Sequence, residues 1–303
     1  MRLTKAPNHR STEVPNHRST EVPNHRSTEV PNHRSTEVPN HRSTEVPNHR
    51  STEVPNLRST EVPNLRSSEV LIKTIDSLLR EYYGVPKRSD FLQDPLDVLI
   101  GTILSQNTND KNSWKAYRNL KDKYSSWEEV RQLERRALEE EIKVAGLGKQ
   151  KSAAILEVLN DLFEKKGTLN LDHAHSMGDS EILDELTSYK GVGVKTASCV
   201  LLFSLRRNVC PVDTHVNRIV NRVGLVTSNQ PEKTFKSLFG QIPEGLAHSF
   251  HSNLILLGRE FCKPTNPDCS NCPLLPVCEF KEKNLSGDEK KYPHNNFLLL
   301  DNL

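Results

Sequence analysis

The stretch "LTSYKGVGVKTASCVLLF", Leu186 to Phe203, decides the fold. It reads as the end of one helix, a Gly-x-Gly turn, and the start of an apolar second helix. Gly191 and Gly193 both permit positive φ, which lets a tight turn join two helices. The free N–H groups of such a turn, with those of the following helix start, form a concavity suited to a phosphate. Because the contact is to backbone, it ignores base sequence. Lys195 falls in the first turn of the second helix. An ammonium there opposes the helix dipole, which favours the free amine, a nucleophile toward carbon. A surface lysine that contacts phosphate is the reading this stretch alone leaves open.

Working outward, "CPVDTHVNR" places Asp213 at the start of another helix, after an apolar segment long enough to run out and return. A carboxylate there can cap its helix and nothing more. It can also serve as electrostatic and proton-transfer partner for chemistry at Lys195. His215, on the same helix, is read as structural or phosphate-contacting. Upstream, "DPLDVLIGTILSQNT" opens with Asp94 as N-cap and Pro95 at the first helical position. "ALEEEIKVAGLGKQKSAAILEVLNDLFEKKG" holds two helices broken at Gly146 and Gly148. "DTHVNRIVNRVG" stops at Gly224. Alternating runs of strand type are nearly absent, so the folded part, from Val70 to Phe280, is expected to be all-α.

The ends differ. From Pro7 to Val70 the octapeptide PNHRSTEV recurs in tandem, drifting to PNLRSTEV and PNLRSSEV. One Pro and one Val among polar residues cannot bury enough apolar surface to offset chain entropy, so residues 1–69 are read as a disordered repeat tail. After Phe280 the charged and then apolar "KEKNLSGDEKKYPHNNFLLLDNL" is either a loose extension or a small docking helix. The formal charge of +2 gives no general argument for nucleic acid, so any grip on it must be local. With no membrane-length apolar run and no apolar signal region, an intracellular protein is expected.

In such a compartment six cysteines are metal ligands or core thiols sooner than disulfides. Cys262, Cys269, Cys272 and Cys278 follow the spacing C-x6-C-x2-C-x5-C. Four thiolates hold zinc or an iron–sulfur cluster. Zinc sites usually pair two short Cys-x2–4-Cys units, and only Cys269 and Cys272 form one here, which favours iron–sulfur and leaves zinc open. Cys199 and Cys210 lack such spacing and are read as core thiols.

Together "LTSYKGVGVKTA", "VDTHVNR" and the four-cysteine pattern resemble the helix-hairpin-helix DNA glycosylases of the endonuclease III family, over roughly Val70 to Phe280. The resemblance implies two helical domains flanking a cleft. Residues 70–90 with 207–280 would form a cluster-bearing domain and 91–206 a helical barrel with the hairpin, leaving 281–303 as a tail. It further implies Lys195 as nucleophile toward the sugar, Asp213 as its assistant, and a [4Fe–4S] cluster on the four cysteines. Gln106 in "ILSQNTND" matches the glutamine that enters the vacated base stack, and Leu147 in "GLGKQK" resembles the wedge on the opposing strand. Gly191 and Gly193 would clamp a backbone phosphate. The implied partner is duplex DNA carrying damaged bases or abasic sites, bound by a monomer inside the cell, in the cytoplasm or nucleoid if the source is prokaryotic. The implied activity is removal of oxidised pyrimidines with abasic-site lyase cleavage. A thymine- or uracil-directed mismatch glycosylase and a non-catalytic DNA-binding module remain alternatives. Two departures stand out: Lys190 replaces the proline usual before the hairpin, and "SQNTND" differs from the commoner S-A-Q-A-T-D.

Overall fold

The two helix caps read from the sequence, Asp94 and Asp213, are both present in the computed structural model, which describes residues 65–286 and 298–303. The helices in chain order are α1 (Leu65–Tyr83), α2 (Pro95–Ser105), α3 (Asp110–Lys123), α4 (Trp127–Arg131), α5 (Arg135–Ile142) and α6 (Gly148–Lys166). They continue as α7 (Asp179–Thr187), α8 (Val194–Cys199), α9 (Thr214–Arg222), α10 (Pro231–Leu238) and α11 (Ala247–Glu260). No strand occurs among the described residues, so the all-α expectation holds. Asp94 caps α2 by accepting from the N–H groups of Leu96 and Asp97, with Pro95 at the first position. Asn109 and Ser126 cap α3 and α4 in the same way. The repeats up to residue 64 lie outside the described residues. The last repeat does not end as expected, because α1 begins at Leu65, five residues inside the segment assigned to the tail.

One set of helices gathers around α2, whose residues from Pro95 to Leu104 are all buried except Asp97. It packs against α3, α6 and α8. Trp127 of α4 reaches it by donating its indole N–H to Asp97 Oδ1 at 2.7 Å. In a second set α11 lies between α1 and α9. Ser249 of α11 donates to the buried Asp76 of α1 at 2.6 Å, and Tyr83 donates to Glu260 at 2.8 Å. Burial of Ile72, Ile75 and Leu79 against α11 supplies the apolar share of that contact, about 1.5–3 kcal/mol per side chain. Helix α8 passes directly into a π-turn over Val200–Ser204, and every residue of that turn is buried. The Ser204 hydroxyl donates to the Gln93 carbonyl at 2.5 Å, fixing where the chain enters α2.

The segment 298–303 docks on this body. A single 3₁₀ turn spans Leu299–Asp301, and Leu298, Leu299 and Leu300 are buried. Of the two outcomes left open for this end, docking occurs. Among the described residues, no helix is long and apolar enough to cross a membrane.

Candidate active site

The hairpin needs one glycine conformation, not two. Gly191 has φ +85°, whereas Gly193 has φ −92° and serves as N-cap of α8, so the turn uses the freedom of the first glycine only. The turn closes through the Val192 N–H donating to the Tyr189 carbonyl at 3.1 Å, which leaves only Gly191 to reverse the chain. A Cβ at Gly191 would also lie 2.8 Å from Ala154 Cβ of α6. Nothing lies within 4 Å of a Cβ built at Gly193, so its backbone faces open space where a ligand can approach. Tyr189 and Val192 are buried and hold the turn down. Lys190, in place of the usual proline, sits 3.4 Å from Glu157 of α6 in an exposed ion pair.

Lys195 is the second residue of α8 and half-buried. Asp213 caps α9, its Oδ1 accepting the Val216 N–H at 2.8 Å. Both line a cleft of about 510 Å³ that Gln106 also lines. Gln106 ends α2 with extended dihedrals and Asn107 follows at φ +50°, a sharp reversal that turns this loop toward the cleft. Across the rim Arg259 of α11 donates to Asp110 of α3 at 2.9 Å, joining the two sets of helices.

Buried groups, Cys199 and His251 among them, lie close to Lys195 and Asp213. Burial pushes the Cys199 thiol up, opposed by Lys195 and reinforced by Asp213, so the thiol stays protonated. Burial likewise lowers His251 to about 4, with Asp213 opposing and Lys195 reinforcing. His251 is therefore neutral at physiological pH. Its Nδ1 lies 2.9 Å from the Pro211 carbonyl and must carry the proton, which leaves Nε2 as an acceptor. His215, read from the sequence as structural or phosphate-contacting, also lines the cleft. Burial lowers its pKa, Arg218 lies 3.1 Å from its Nδ1, and Gly258 leaves the space its ring occupies.

Leu147 stands apart from the cleft, on the turn that starts α6. It is 45% exposed and holds φ +50°, directly after Gly146 at φ +69°. A left-handed conformation costs a leucine about 1–2 kcal/mol, so this turn holds an apolar side chain outward at a cost to folding. Beside it, Lys151 is only 2% exposed and donates to the carbonyls of Leu104 at 2.7 Å and Ala145 at 2.8 Å. It thereby ties the Gln106 loop to the Leu147 turn. Burial lowers its pKa to about 8.

The four spaced cysteines face one small pocket between α9 and the 262–280 loop, away from the cleft. Among the described residues, no three His, Cys, Asp or Glu side chains converge to coordination distance. The donor chemistry nonetheless fits a four-thiolate group, because all four cysteines line one pocket and each of the other three acts electrostatically on Cys272. Burial pushes Cys272 up to about 12, and the other three sulfurs add to the shift. That mutual repulsion is what a cationic core would relieve. Arg222 lies 3.3 Å from Cys262 Sγ and also donates to the Lys263 and Pro264 carbonyls, organising the loop from α9.

The structure thus brings Lys195, Asp213 and Gln106 to one cleft, sets Gly191 and Gly193 on the hairpin that leads into it, and leaves Leu147 on a separate tied turn. Sequence reasoning missed His251, Lys151 and the leucines at 298–300. For His251 the available signal was a histidine on the apolar run "FHSNLILL". For Lys151 it was a lysine on the apolar side of "KSAAIL".

Fold and cleft define a helix-hairpin-helix protein that presents an amine and a carboxylate to one pocket. The family model described as HhH-GPD superfamily base excision DNA repair protein matches residues 100–244. The chain is 37% identical over 214 residues to endonuclease III of Thermotoga maritima, covering 71% of this chain and 96% of that one. It is 32% identical over 225 residues to endonuclease III of Sulfolobus acidocaldarius, covering 69% and 96%. A solved non-covalent endonuclease III–DNA complex superposes with TM-score 0.59 at 26% identity, over 70% of this chain and 94% of that one. The chain belongs to the endonuclease III family of the HhH-GPD superfamily.

Proposed function

We propose that this chain is a base-excision-repair DNA glycosylase with abasic-site lyase activity, using Lys195 as nucleophile and Asp213 as its acidic partner. The observation that carries the reading is the shared cleft: Lys195 from α8 and Asp213 from α9 line one cavity. A solved structure of a trapped endonuclease III–DNA covalent intermediate, matched at TM-score 0.58 and 26% identity, supports covalent chemistry in such a cleft.

The proposed steps use this chain's own groups. The hairpin, open in front of Gly193, takes a backbone phosphate on free N–H groups. The exposed Leu147 enters the stack of the opposing strand, while Gln106 occupies the space of the extruded nucleotide. Asp213 stabilises positive charge developing on the sugar and accepts a proton from the Lys195 ammonium. The freed amine attacks C1′ and the C1′–N bond to the base breaks, with the electron pair leaving on the base. The C1′–O4′ bond then opens, O4′ taking a proton, and the lysine nitrogen's lone pair forms the C1′=N bond. The resulting imine withdraws electrons, so loss of a C2′ proton expels the 3′ phosphate. We assign oxidised pyrimidines in duplex DNA as the substrate class and place the protein inside the cell. Two helical lobes, 70–90 with 207–280 and 91–206, would flank the bound DNA.

For the four cysteines we propose a [4Fe–4S] cluster, held by Cys262, Cys269, Cys272 and Cys278. When bound it supplies structural cross-linking of a loop too short to make its own core. Arg222, already within reach of Cys262, offsets the negative charge of the thiolates.

The test is strand cleavage of a duplex holding one oxidised pyrimidine, beside a duplex holding one abasic site. Both are expected to be nicked, each leaving an unsaturated aldehyde on the 3′ end. Hydrolytic ends, or no nicking of either duplex, would overturn the assignment.

A further inference from the structure

The cleft has a wall that the catalytic reading does not use. Leu298, Leu299 and Leu300 line it together with Lys195 and Asp213, although they come from the far end of the described chain. Four separate features hold this segment in place. Gln93, itself buried, donates to the Leu300 carbonyl at 2.8 Å and toward the Leu303 oxygen at 3.3 Å. His248 Nε2 lies 2.7 Å from Asp301 Oδ1, with both side chains nearly buried. Asn302 donates back to the Leu298 carbonyl at 2.7 Å, closing the turn. Finally, the Leu303 side chain occupies a notch at Gly101 of α2, where an added Cβ would lie 2.6 Å from Leu303 Cδ1. Phe203 of the π-turn also lines the cleft and stacks edge-on against His248, so the anchor and the cleft wall share a ring.

We propose that residues 298–300 form an apolar wall of the nucleobase pocket and select which everted base can reach Lys195. The inference rests on the base-excision reading and extends it to specificity. The leucine side chains carry no hydrogen-bond donor or acceptor, and the Leu298, Leu299 and Leu300 carbonyls are engaged by Asn302 and Gln93, so the wall discriminates by size and by hydration of the base edge. Size selection of this kind is worth on the order of tenfold per methylene-scale change in fit.

An abasic site has no base, and that separates wall from machinery. Wild type, Leu299→Ala and Leu298→Ala would each be assayed under single turnover on three duplexes: an oxidised pyrimidine, a bulkier oxidised purine, and an abasic site. The expected result is a roughly tenfold shift in the purine-to-pyrimidine excision ratio, with abasic nicking within about twofold of wild type. Asp301→Asn, which keeps shape and removes the charge paired to His248, should shift the same ratio if the alanine variants fold poorly. An unchanged ratio in folded variants would overturn the inference. So would excision and abasic nicking rising together, which marks the segment as a plug, or falling together, which marks it as a structural brace. A wild type inert on all three duplexes would instead sink the base-excision reading beneath it.

Discussion

Asp213 is asked to do two things, and substitution can separate them. Its Oδ1 accepts the Val216 N–H at 2.8 Å as the N-cap of α9, while the carboxylate faces the cleft with Lys195. Asparagine caps a helix as well as aspartate, so Asp213→Asn keeps the cap and removes the charge. Asp213→Ala removes both. Loss of a cap costs about 1 kcal/mol, and for a folded body of this size that lowers Tm by roughly 2–4 °C. Loss of a preorganised charge beside developing positive charge costs about 10²–10³ in rate. Thermal melting and single-turnover nicking of abasic DNA, measured side by side, should therefore split. Asp213→Asn melts within about 1 °C of wild type and turns over at least about 10²-fold more slowly, while still binding abasic DNA. Asp213→Ala loses both rate and Tm. Full nicking by Asp213→Asn, or a Tm loss equal to that of the alanine variant, would refute the division of labour.

Lys151→Met strips the donors from the Leu104 and Ala145 carbonyls, each an orphan at about 1–3 kcal/mol, so denaturant melts at pH 9.5 should show a less stable variant. The wild-type lysine also carries a signed pH dependence. Its folded pKa of about 8 lies below the ordinary 10.5, so the unfolded chain binds more protons between those values and stability rises with pH there. Between pH 7.5 and 9.5 wild type should gain about 2 kcal/mol relative to Lys151→Met, and parallel pH profiles would contradict the burial argument. For the cysteine loop, protein isolated without oxygen is expected to be brown with about four irons per chain, and Cys278→Ser to lose iron. Stoichiometric zinc in a colourless protein would contradict the cluster assignment.

What the sequence revealed was local, and what it hid was long-range. The caps at Asp94 and Asp213 and the turn at Gly191 were legible because each is decided by neighbours within a few residues. Gly193 does not use the positive φ open to it, because the turn is already closed at Val192, one residue earlier. Lys151 gave no sign of its partner Leu104, since only tertiary packing brings α6 onto the end of α2. The docking of 298–303 was likewise undecidable from its own composition. Its anchors, Gln93, Gly101 and His248, lie far away in the chain and carry no local mark of that role. The pairing of Lys195 with Asp213 fell between these cases: each residue was conspicuous, and only the fold could put them on one cleft.

That pairing is tested most directly by borohydride reduction of the protein on abasic-site DNA, followed by peptide mapping of the crosslinked product. The account predicts one adduct, on the peptide carrying Lys195, and none with Lys195→Ala. An adduct on Lys151 or Lys190, or an undiminished crosslink in the Lys195→Ala variant, would contradict it.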